Sequence, residues 1–334
     1  MAMGKGIAVA GNMIVDHIKY IKNYPMEQAL TTIADSARST GGLCCNCVLT
    51  LARLDPSLPV KAIGLLGDDE AGDYVLSRFA GCPSVDVSRI RRAGRTSYTD
   101  VMTERSSGKR TFFHYRGANA LLGPEDFDFT NLDADILHIG YILLLDRLDA
   151  PDTEYTTAMC RVLDAAQKAG IRTSVDVASE EGGRFTELVP PALGYADYCV
   201  INELEASYTT GVPLRGADNG LIAENLPAAC QKLMDMGVRK WAVLHMPELS
   251  CGLERGGGYY SELSWRIPEG FKKSAVGAGD VFASGVLYGA YNGWSLQKSI
   301  HTAGAVAAYS LSGGGACDAI RPLPELLKEM EGFQ

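Results

Sequence analysis

The sequence lacks a long apolar segment and a surplus of positive charge. Its longest uncharged apolar run, Ile136 to Leu145, has ten residues, whereas a membrane-spanning helix needs ~20. There are 31 Lys and Arg residues against 40 Asp and Glu residues, and the resulting net charge of −9 disfavours nucleic acid and anionic membranes as partners. With 46% hydrophobic residues, the sequence predicts a soluble globular protein. A local pocket for a phosphate group is compatible with the negative net charge.

Two common nucleotide-binding motifs are also missing. The phosphate-binding pattern G-x-x-x-x-G-K-[ST] does not occur, which disfavours a P-loop ATPase. The pattern G-x-G-x-x-G does not follow the first apolar run, which ends at Gly11-Asn12. A dinucleotide-dependent oxidoreductase is therefore a poor alternative.

The nine cysteines form no pattern of paired metal ligands. Cys44, Cys45 and Cys47 lie close together, but no second Cys pair or His partner follows at the spacing of a zinc site, so we expect a small-residue helix packed in the core. Asn12 and Asp16 interrupt the first apolar run, which argues against a secretion signal. We expect free thiols and a cytoplasmic protein.

Short apolar runs alternate with longer helical patterns along the chain. The predicted strands are Ile7–Gly11, Ala62–Gly67, Ile136–Ile142, Thr173–Ala178, Tyr198–Asn202 and Trp241–Met246. The predicted helices are Gly42–Leu54, Asp69–Ala80, Thr153–Ala169, Ala217–Met236 and Gly279–Gly293. Because the runs are apolar on both faces, they predict a mostly parallel sheet in a three-layer α/β/α fold, as one domain over residues 1–334.

One region breaks this alternation and predicts a small β lid. Thr96–Glu104 and Arg110–Arg116 are strand-like runs joined by a turn that contains Gly108, and no helix separates them. A hairpin alone is marginally stable, so we expect Val15–Tyr24 to pair with it and place the lid at about residues 12–40 and 96–118. Apolar side chains on the lid predict a homodimer formed through it, namely Tyr98, Val101, Phe112, Phe113 and Tyr115.

The sharpest chemical signal is Gly277-Ala278-Gly279-Asp280 at the start of a predicted helix. Two glycines let the backbone approach a ligand closely, and free N–H groups at a helix N-terminus attract an anion. Asp280 alone would be explained as a favourable charge at a helix start. Beside an anion site, however, a carboxylate is repelled unless it has a task, and taking a proton from an attacking hydroxyl is such a task.

Asn202 and Glu205 follow another predicted strand. Ligands of open α/β sheets bind at the carboxyl ends of the strands, where these side chains could orient hydrated Mg²⁺ and phosphate oxygens. An ordinary helix-capping pair explains the same spacing.

A third group suits a polyol. Asn12 and Asp16 follow the first strand, and Asn46 follows the pair Gly41-Gly42. Their side chains are short, directional donors and acceptors, and the glycines would let the backbone lie against a sugar. Taken separately, each of these segments is also explained by a structural role, as a turn at the end of a strand or as the start of a helix.

Taken in chain order from residue 7 to residue 320, these motifs resemble the ribokinase-like or PfkB family of sugar and nucleoside kinases. Gly64, Gly67 and Gly117-Ala118-Asn119 also match the family pattern. The resemblance implies the ribokinase-like fold, ATP and Mg²⁺ as cofactors, and a small sugar or sugar-like alcohol as substrate.

The resemblance also implies roles for particular residues. Asp280 matches the catalytic base, and Gly277, Ala278 and Gly279 match the anion hole for the transferring phosphoryl group. Asn202 and Glu205 match the nucleotide and metal motif, with Glu205 acting through water. The substrate contacts are expected from Asn12, Asp16, Gly41, Gly42 and Asn46.

The sequence departs from the family pattern at two places. Ser274 stands where the family has an acid that helps to hold a monovalent cation, and Lys272 or Lys273 could supply a fixed positive charge there instead. On the adenine side, the family has a strand that ends in Thr-x-Gly-x-x-Gly, whereas this chain has His245-Met246-Pro247-Glu248 before Gly252. His245 and Gly252 are the nucleotide contacts expected there.

The substrate class stays open at this stage. Arg116, at the root of the lid, could pair with the carboxylate of a sugar acid or be a solvated charge. We expect an ATP-dependent kinase of a neutral sugar, with a sugar acid, a nucleoside or a catalytically weak ligand-binding relative as alternatives.

Overall fold

The computed structural model describes residues 5–180 and 183–333. Its strands are β1 Ile7–Gly11, β2 Ile14–Ile21, β3 Ile33–Gly41, β4 Val60–Leu66, β5 Val85–Arg92, β6 Ser97–Glu104, β7 Arg110–Tyr115, β8 Ile136–Ile142, β9 Arg172–Val177, β10 Tyr198–Asn202, β11 Trp241–His245, β12 Leu249–Glu254 and β13 Tyr259–Leu263. Its α-helices are α1 Leu43–Leu54, α2 Glu70–Ala80, α3 Asp146–Asp149, α4 Ala158–Lys168, α5 Phe185–Leu193, α6 Glu203–Thr210, α7 Leu226–Asp235, α8 Ala278–Tyr291, α9 Leu296–Ser310 and α10 Leu323–Met330. Within these ranges no helix combines the length and the apolarity that crossing a membrane requires.

The larger sheet runs in the order β13-β12-β11-β10-β9-β8-β1-β4-β5. All pairs from β11 to β5 are parallel, whereas β12 and β13 add an antiparallel edge. The carboxyl ends of the parallel strands therefore meet along one edge of the sheet, which is where ligands bind in this architecture.

The strands of this sheet are buried on both faces because helices cover both. Along β1, Ile7 and Val9 point into one hydrophobic cluster, while Ala8 and Ala10 point into the other. Helices α1, α2, α8, α9 and α10 contribute to the first cluster, and α4 to α7 contribute to the second. The predicted three-layer, mostly parallel α/β/α fold is confirmed.

A second, four-stranded sheet has the order β3-β2-β6-β7. It is built from the two segments for which the lid was predicted, and β2 pairs with the hairpin β6-β7 through parallel contacts along β6. In this register Asp16 of β2 lies opposite Thr99 of β6. The register brings a carboxylate of the small sheet to the end of that sheet nearest β1.

Two predicted helices begin later than the sequence pattern suggested. The helix expected from Thr153 begins at Ala158, since the Thr157 hydroxyl accepts a hydrogen bond from the Cys160 N–H and caps it. The helix expected over Ala217–Met236 is wrong in its first half: residues 217–222 form a turn in which the Gly220 N–H donates to Asp218, and α7 begins only at Leu226. The Asp-Asn-Gly sequence of that turn outweighed the helical pattern.

The sequence pattern also missed several elements at the edges of the fold. Strands β5, β12 and β13 are partly polar or carry exposed residues, so they lack the continuous apolar run by which the central strands were found. Helices α9 and α10 were not predicted either.

The three clustered cysteines lie in α1. Cys44, Cys45 and Cys47 are fully buried in the cluster that α1 shares with α8, and all nine cysteines of the chain are free thiols. The Cys47 thiol donates to the backbone carbonyl of Asp280, so a small side chain here allows the two helices to approach closely.

Close packing of α8 against α9 depends on a glycine. A Cβ atom at Gly285 would lie 2.6 Å from the Cα atom of Ala303, whereas a Cβ atom at Gly304 would lie 3.4 Å from the Trp265 ring, an ordinary contact distance. Both glycines are inside helices, where alanine is intrinsically favoured by about 1 kcal/mol.

We therefore expect opposite effects from two identical substitutions. Gly285→Ala should lower the free energy of unfolding by about 1–3 kcal/mol through overpacking, while Gly304→Ala should leave it unchanged or raise it by up to ~1 kcal/mol. Urea denaturation of both variants measures this difference. Equal effects would contradict the close approach of α8 and α9 at Gly285.

Candidate active site

The end of β1 is tied to the end of β8 through Asn12. The Asn12 N–H donates to the Gly140 carbonyl at 3.1 Å, and its side-chain oxygen accepts from the Tyr141 N–H at 2.7 Å. Gly11 has a φ of +123°, and a Cβ atom there would lie 1.7 Å from the Gly140 oxygen, so only glycine fits. The buried Asn12 side-chain NH₂ has no partner within the described residues, which leaves it available to a ligand.

Gly41 and Gly42 lead into α1 and lie against two other site residues. A Cβ atom at Gly41 would lie 2.2 Å from a carboxylate oxygen of Asp16, and one at Gly42 would lie 2.5 Å from the Asn12 carbonyl oxygen. Asn46, in the first turn of α1, reaches across to α8. The structure thus brings five of the six predicted substrate contacts together at the end of β1, Arg116 being the exception.

The predicted anion hole lies at the start of α8. Gly277 caps the helix in the left-handed conformation with a φ of +68°, and Cβ atoms at Gly277 and Gly279 would lie 2.4 Å from the Ala316 side chain and 2.9 Å from the His245 ring. Within the described residues, the N–H groups of Gly277 and Gly279 donate to no acceptor. Free N–H groups at the positive end of a helix attract an anion.

Asp280 lies one residue beyond these amides and is 4% exposed. The Asn46 side-chain NH₂ donates to Oδ2 at 2.7 Å, and the Tyr141 hydroxyl lies 2.8 Å from Oδ1 and 2.9 Å from Oδ2. Burial raises the pKa of Asp280 to about 6, against the lowering effect of these hydrogen bonds. A carboxylate with a pKa of this kind is ionised at neutral pH and still basic enough to accept a proton.

Asp16 faces Asp280 from the small sheet. Burial, and then the charge of Asp280, raise the pKa of Asp16 to about 7, whereas the positive charge of Arg110 and the hydrogen bond with Thr99 lower it. Two carboxylates in one buried site repel each other when both are ionised. A hydroxyl-bearing ligand would relieve this by donating hydrogen bonds to both.

Glu205 is a capping residue and also one of a group of buried acids. It accepts from the Asn202 N–H at 2.9 Å and from the Ser179 hydroxyl at 2.7 Å, while the Asn202 side chain accepts from the Glu205 N–H. Asn202 and Glu205 therefore form the helix-capping pair that their spacing in the sequence allowed. Burial raises the pKa of Glu205 to about 7, and the charge of Asp280 contributes.

Asp176, at the end of β9, is a further member of this group. Burial raises its pKa well above the usual value, and the charges of Glu205 and Asp280 add to this effect. Within the described residues neither Asp176 nor Glu205 has a Lys, Arg or His side chain within ion-pair distance. The sequence analysis missed Asp176, although its place at the end of a predicted strand was a usable signal.

His245 lies at the end of β11 beside the anion hole. Its ring packs on Phe282 with the ring centroids 5.3 Å apart, and burial lowers its pKa to about 4, so it is neutral. Gly252 lies elsewhere: it is buried in the middle of β12 opposite Val243, where a Cβ atom would lie 3.0 Å from Ile300. The structure brings His245 to the site but does not bring Gly252 there.

Arg116 is held by acidic partners outside the site. Its guanidinium donates to Asp146 and to the Leu143 carbonyl, and it lies 3.5 Å from Glu180. A substrate carboxylate would have to compete with these groups for the same donors.

The segment before the predicted anion hole is contacted by Arg110 of β7, and not by the Lys272 or Lys273 side chain that was expected to supply a positive charge there. Lys272 and Lys273 are exposed, whereas Arg110 of β7 donates to the hydroxyl of the buried Ser274 at 3.3 Å. The Ser274 hydroxyl also accepts from the Val276 N–H at 3.2 Å. Arg110 therefore links the small sheet to the segment that leads into the anion hole, and no local motif in the sequence indicated this.

Comparison with known proteins identifies the family of the chain. The family model described as pfkB family carbohydrate kinase matches residues 5–322. The chain belongs to this family, and it is an ATP-dependent carbohydrate kinase, as the resemblance of its motifs predicted.

Individual relatives are distant but extend over most of the chain. Ribokinase of Arabidopsis thaliana is 25% identical over 326 residues, which cover 96% of this chain and 80% of the relative. A 5-dehydro-2-deoxygluconokinase of Clostridium perfringens is 24% identical over 308 residues, which cover 86% of this chain and 82% of the relative.

Solved structures share the fold. The structure of Arabidopsis thaliana ribokinase complexed with ribose and ATP has a TM-score of 0.80 at 22% identity, and ribokinase of Thermotoga maritima has 0.79 at 17%. Each comparison covers 98% of this chain and 99% of the other. At these identities the likeness establishes the fold alone.

Proposed function

We propose that this carbohydrate kinase transfers the γ-phosphoryl group of ATP to a hydroxyl group of a small neutral sugar. The observation that carries the proposal is the position of Asp280: Asn46 and Tyr141 hold its carboxylate beside the free amides of Gly277 and Gly279. A base and an anion site next to each other are what in-line phosphoryl transfer needs, because that reaction depends on positioning and charge stabilisation.

The proposed step uses the chain's own groups as follows. Asp280 takes the proton of the sugar hydroxyl while that oxygen forms a bond to the γ-phosphorus and the bond to the β,γ-bridging oxygen breaks, releasing ADP. The amides at the start of α8 donate to the phosphoryl oxygens, whose charge they stabilise. Asn12, Asp16 and Asn46 orient the sugar, and the small sheet closes over it as a lid.

Mg²⁺ fits the carboxylates at the ends of β9 and β10. Asp176 and Glu205 are buried acids with raised pKa values and no cationic side chain beside them, which is an oxygen donor set suited to a hard divalent cation. We propose that they hold hydrated Mg²⁺, Glu205 through water. When bound, the ion supplies positive charge to the phosphate groups.

A neutral sugar suits the charges of the site better than an acidic one. Asp16 and Asp280 present carboxylates toward the substrate, and Arg116 is already engaged by Asp146 and Glu180. A sugar acid would meet repulsion without a free guanidinium in compensation.

The cysteines bear on where the protein is found. All nine are free thiols, which supports the cytoplasm as the protein's location.

A coupled assay of ADP release tests the proposed function with a panel of neutral sugars, sugar acids and nucleosides. Turnover should be fastest with a neutral sugar. Turnover with an acid alone would instead support recognition by Arg116. Ligand-dependent melting shifts without any turnover would show a binding protein and contradict the proposal.

Asp280→Asn should lower kcat by roughly 10²–10⁴, the usual contribution of a positioned general base. The matched control is Glu325→Gln, which removes an acid from the first turn of α10, so that the loss of a helix N-terminal charge is accounted for separately. Steady-state kinetics with the best sugar of the panel measure both. An Asp280→Asn enzyme within threefold of wild type would remove Asp280 from the mechanism.

Glu205→Gln should raise the Mg²⁺ concentration needed for half-maximal activity about 10-fold, as expected for a group that acts on the metal through water. The cost in Tm should be small because glutamine can still cap α6. Glu203→Gln, on the same helix, should lower the Tm and leave the Mg²⁺ requirement unchanged, because it breaks the ion pair with Arg215 instead. Unchanged Mg²⁺ titrations for Glu205→Gln would leave only its capping role.

We also propose a homodimer formed through the outer face of the small sheet. Phe113 and Tyr115 of β7 are 55% and 41% exposed, and the Tyr115 ring packs beside Tyr98. Val101, which was expected to be presented on the surface, is buried within the chain. The exposed aromatic patch is therefore smaller than the sequence suggested, but it lies next to the open edge of β7.

Light scattering at micromolar concentration should give twice the chain mass of 35.8 kDa. Phe113→Lys should dissociate the dimer, whereas Phe112→Lys changes a neighbouring exposed residue that points to the opposite face of β7 and should not. A monomeric wild type would contradict the proposed interface.

A further inference from the structure

Tyr141 makes a contact that the proposed function does not by itself explain. Its phenolic oxygen lies 2.8 and 2.9 Å from the two carboxylate oxygens of Asp280. In the described part of the chain, no other side-chain hydroxyl donates to this carboxylate. The Tyr141 hydroxyl thus lies against the carboxylate that is proposed to take the proton of the attacking hydroxyl.

The backbone fixes this position. Tyr141 lies near the end of β8, and its N–H donates to the Asn12 side-chain oxygen at 2.7 Å. In the pairing of β1 with β8, Gly11 lies opposite Gly140. The hydrogen bonds of Tyr141 to Asn12 and Asp280 hold the residue between the end of β1 and the start of α8.

The hydrogen bonds leave Asp280 with little free accepting capacity. An ionised carboxylate offers about four lone-pair sites. The single Tyr141 O–H faces both oxygens and shares its proton between them, so that it covers the adjacent lone-pair site on each, and the Asn46 NH₂ covers the second site on Oδ2. One site on Oδ1 remains for an incoming O–H group.

We propose that Tyr141 is a positioning residue that leaves Asp280 one free acceptor site, so that the base serves a sugar hydroxyl in preference to water. This inference rests on the proposed role of Asp280 as the base. With a sugar bound, its hydroxyl gives its proton to Asp280 as the oxygen–phosphorus bond forms and ADP leaves. Without a sugar, a water molecule could give its proton to Asp280 and attack the γ-phosphorus, which would release ADP and inorganic phosphate. Because only one acceptor site of the Asp280 carboxylate is free, this hydrolysis is disfavoured.

The electrostatic surroundings agree with a permanent donor at this position. Burial, and then the negative charges of Asp280 and Asp176, raise the pKa of Tyr141 well above its usual value, so the phenol keeps its proton at every working pH. The charged groups that face Asp280 are acids from three elements: Asp16 of β2, Asp176 of β9 and Glu205 of α6. Among them, the hydrogen bonds from Tyr141 and Asn46 favour the ionised form of Asp280.

The test is Tyr141→Phe, which removes one oxygen and keeps the ring. The control is Tyr288→Phe on the same helix as Asp280, since the Tyr288 hydroxyl also donates to a carboxylate, that of Asp55, but far along α8 from the site. ADP release is measured without sugar and with the best sugar of the panel, and melting temperatures check that both variants fold.

For Tyr141→Phe we expect the ratio of sugar phosphorylation to sugar-independent ATP hydrolysis to fall about tenfold or more, the scale of one acid–base positioning effect. The acidic limb of the pH profile should also move to higher pH, because the ionised base loses a donor that lowers its pKa. Tyr288→Phe should change neither the ratio nor the pH profile.

The outcomes separate this inference from the proposed function. If a sugar is phosphorylated and Tyr141→Phe leaves both the ratio and the pH profile at wild-type values, Tyr141 has no positioning role, while the kinase function stands. If no sugar in the panel is phosphorylated but Tyr141→Phe still accelerates ATP hydrolysis, the control of the base is supported and the substrate class is wrong.

Discussion

The hydrogen bond between Asn46 and Asp280 is the contact on which the site depends. It joins the first turn of α1 to the first turn of α8 at 2.7 Å, across 234 positions of the chain. Two helix starts can meet so closely only where side chains are small. Cys47 and Gly277 lie at this junction, and a Cβ atom at Gly277 would lie 2.9 Å from the Asn46 NH₂. Cys47 therefore has a packing role at this junction.

The second feature of the site is its concentration of buried negative charge. Carboxylates of Asp16, Asp176, Glu205 and Asp280 all have raised pKa values, with burial as the largest cause. Charges that are taken out of water without an opposite charge are costly, and such an arrangement is typical of sites that bind cations or exchange protons. In the proposed function, the substrate hydroxyls and Mg²⁺ compensate this charge when they bind.

The central fold could be predicted from the sequence, and most residues that lie together in the candidate site could be selected from it, because both rest on local patterns. The strands β1, β8 and β10 are continuous apolar runs, and their predicted bounds agree with the structure. The motif from Gly277 to Asp280 combines a helix start with glycines in a way that few structural roles require. Partly polar edge strands such as β5 carry no comparable signal.

Single residues that act through the topology could not be predicted in this way. Tyr141 and Asp176 belong to no motif, and only the order of the strands in the sheet places them beside Asp280. Arg110 reaches Ser274 from a different sheet, at a separation of 164 residues. Gly252 is the converse case. The sequence suggested it as a nucleotide contact, yet the strand pairing puts it in the middle of β12.

The central claim is that the Asp280 carboxylate and the free amides of α8 act in the same step, Asp280 on the attacking substrate hydroxyl and the amides on the phosphoryl group that it receives. A crystal structure with ADP, Mg²⁺, aluminium fluoride as the phosphoryl mimic and the best sugar of the panel tests it most directly. The account predicts the acceptor hydroxyl within hydrogen-bond distance of Asp280 Oδ1, roughly 2.6–3.2 Å, and the fluoride ligands on the Gly277 and Gly279 amides. A sugar bound with its acceptor hydroxyl away from Asp280, or a mimic seated away from those amides, would contradict it.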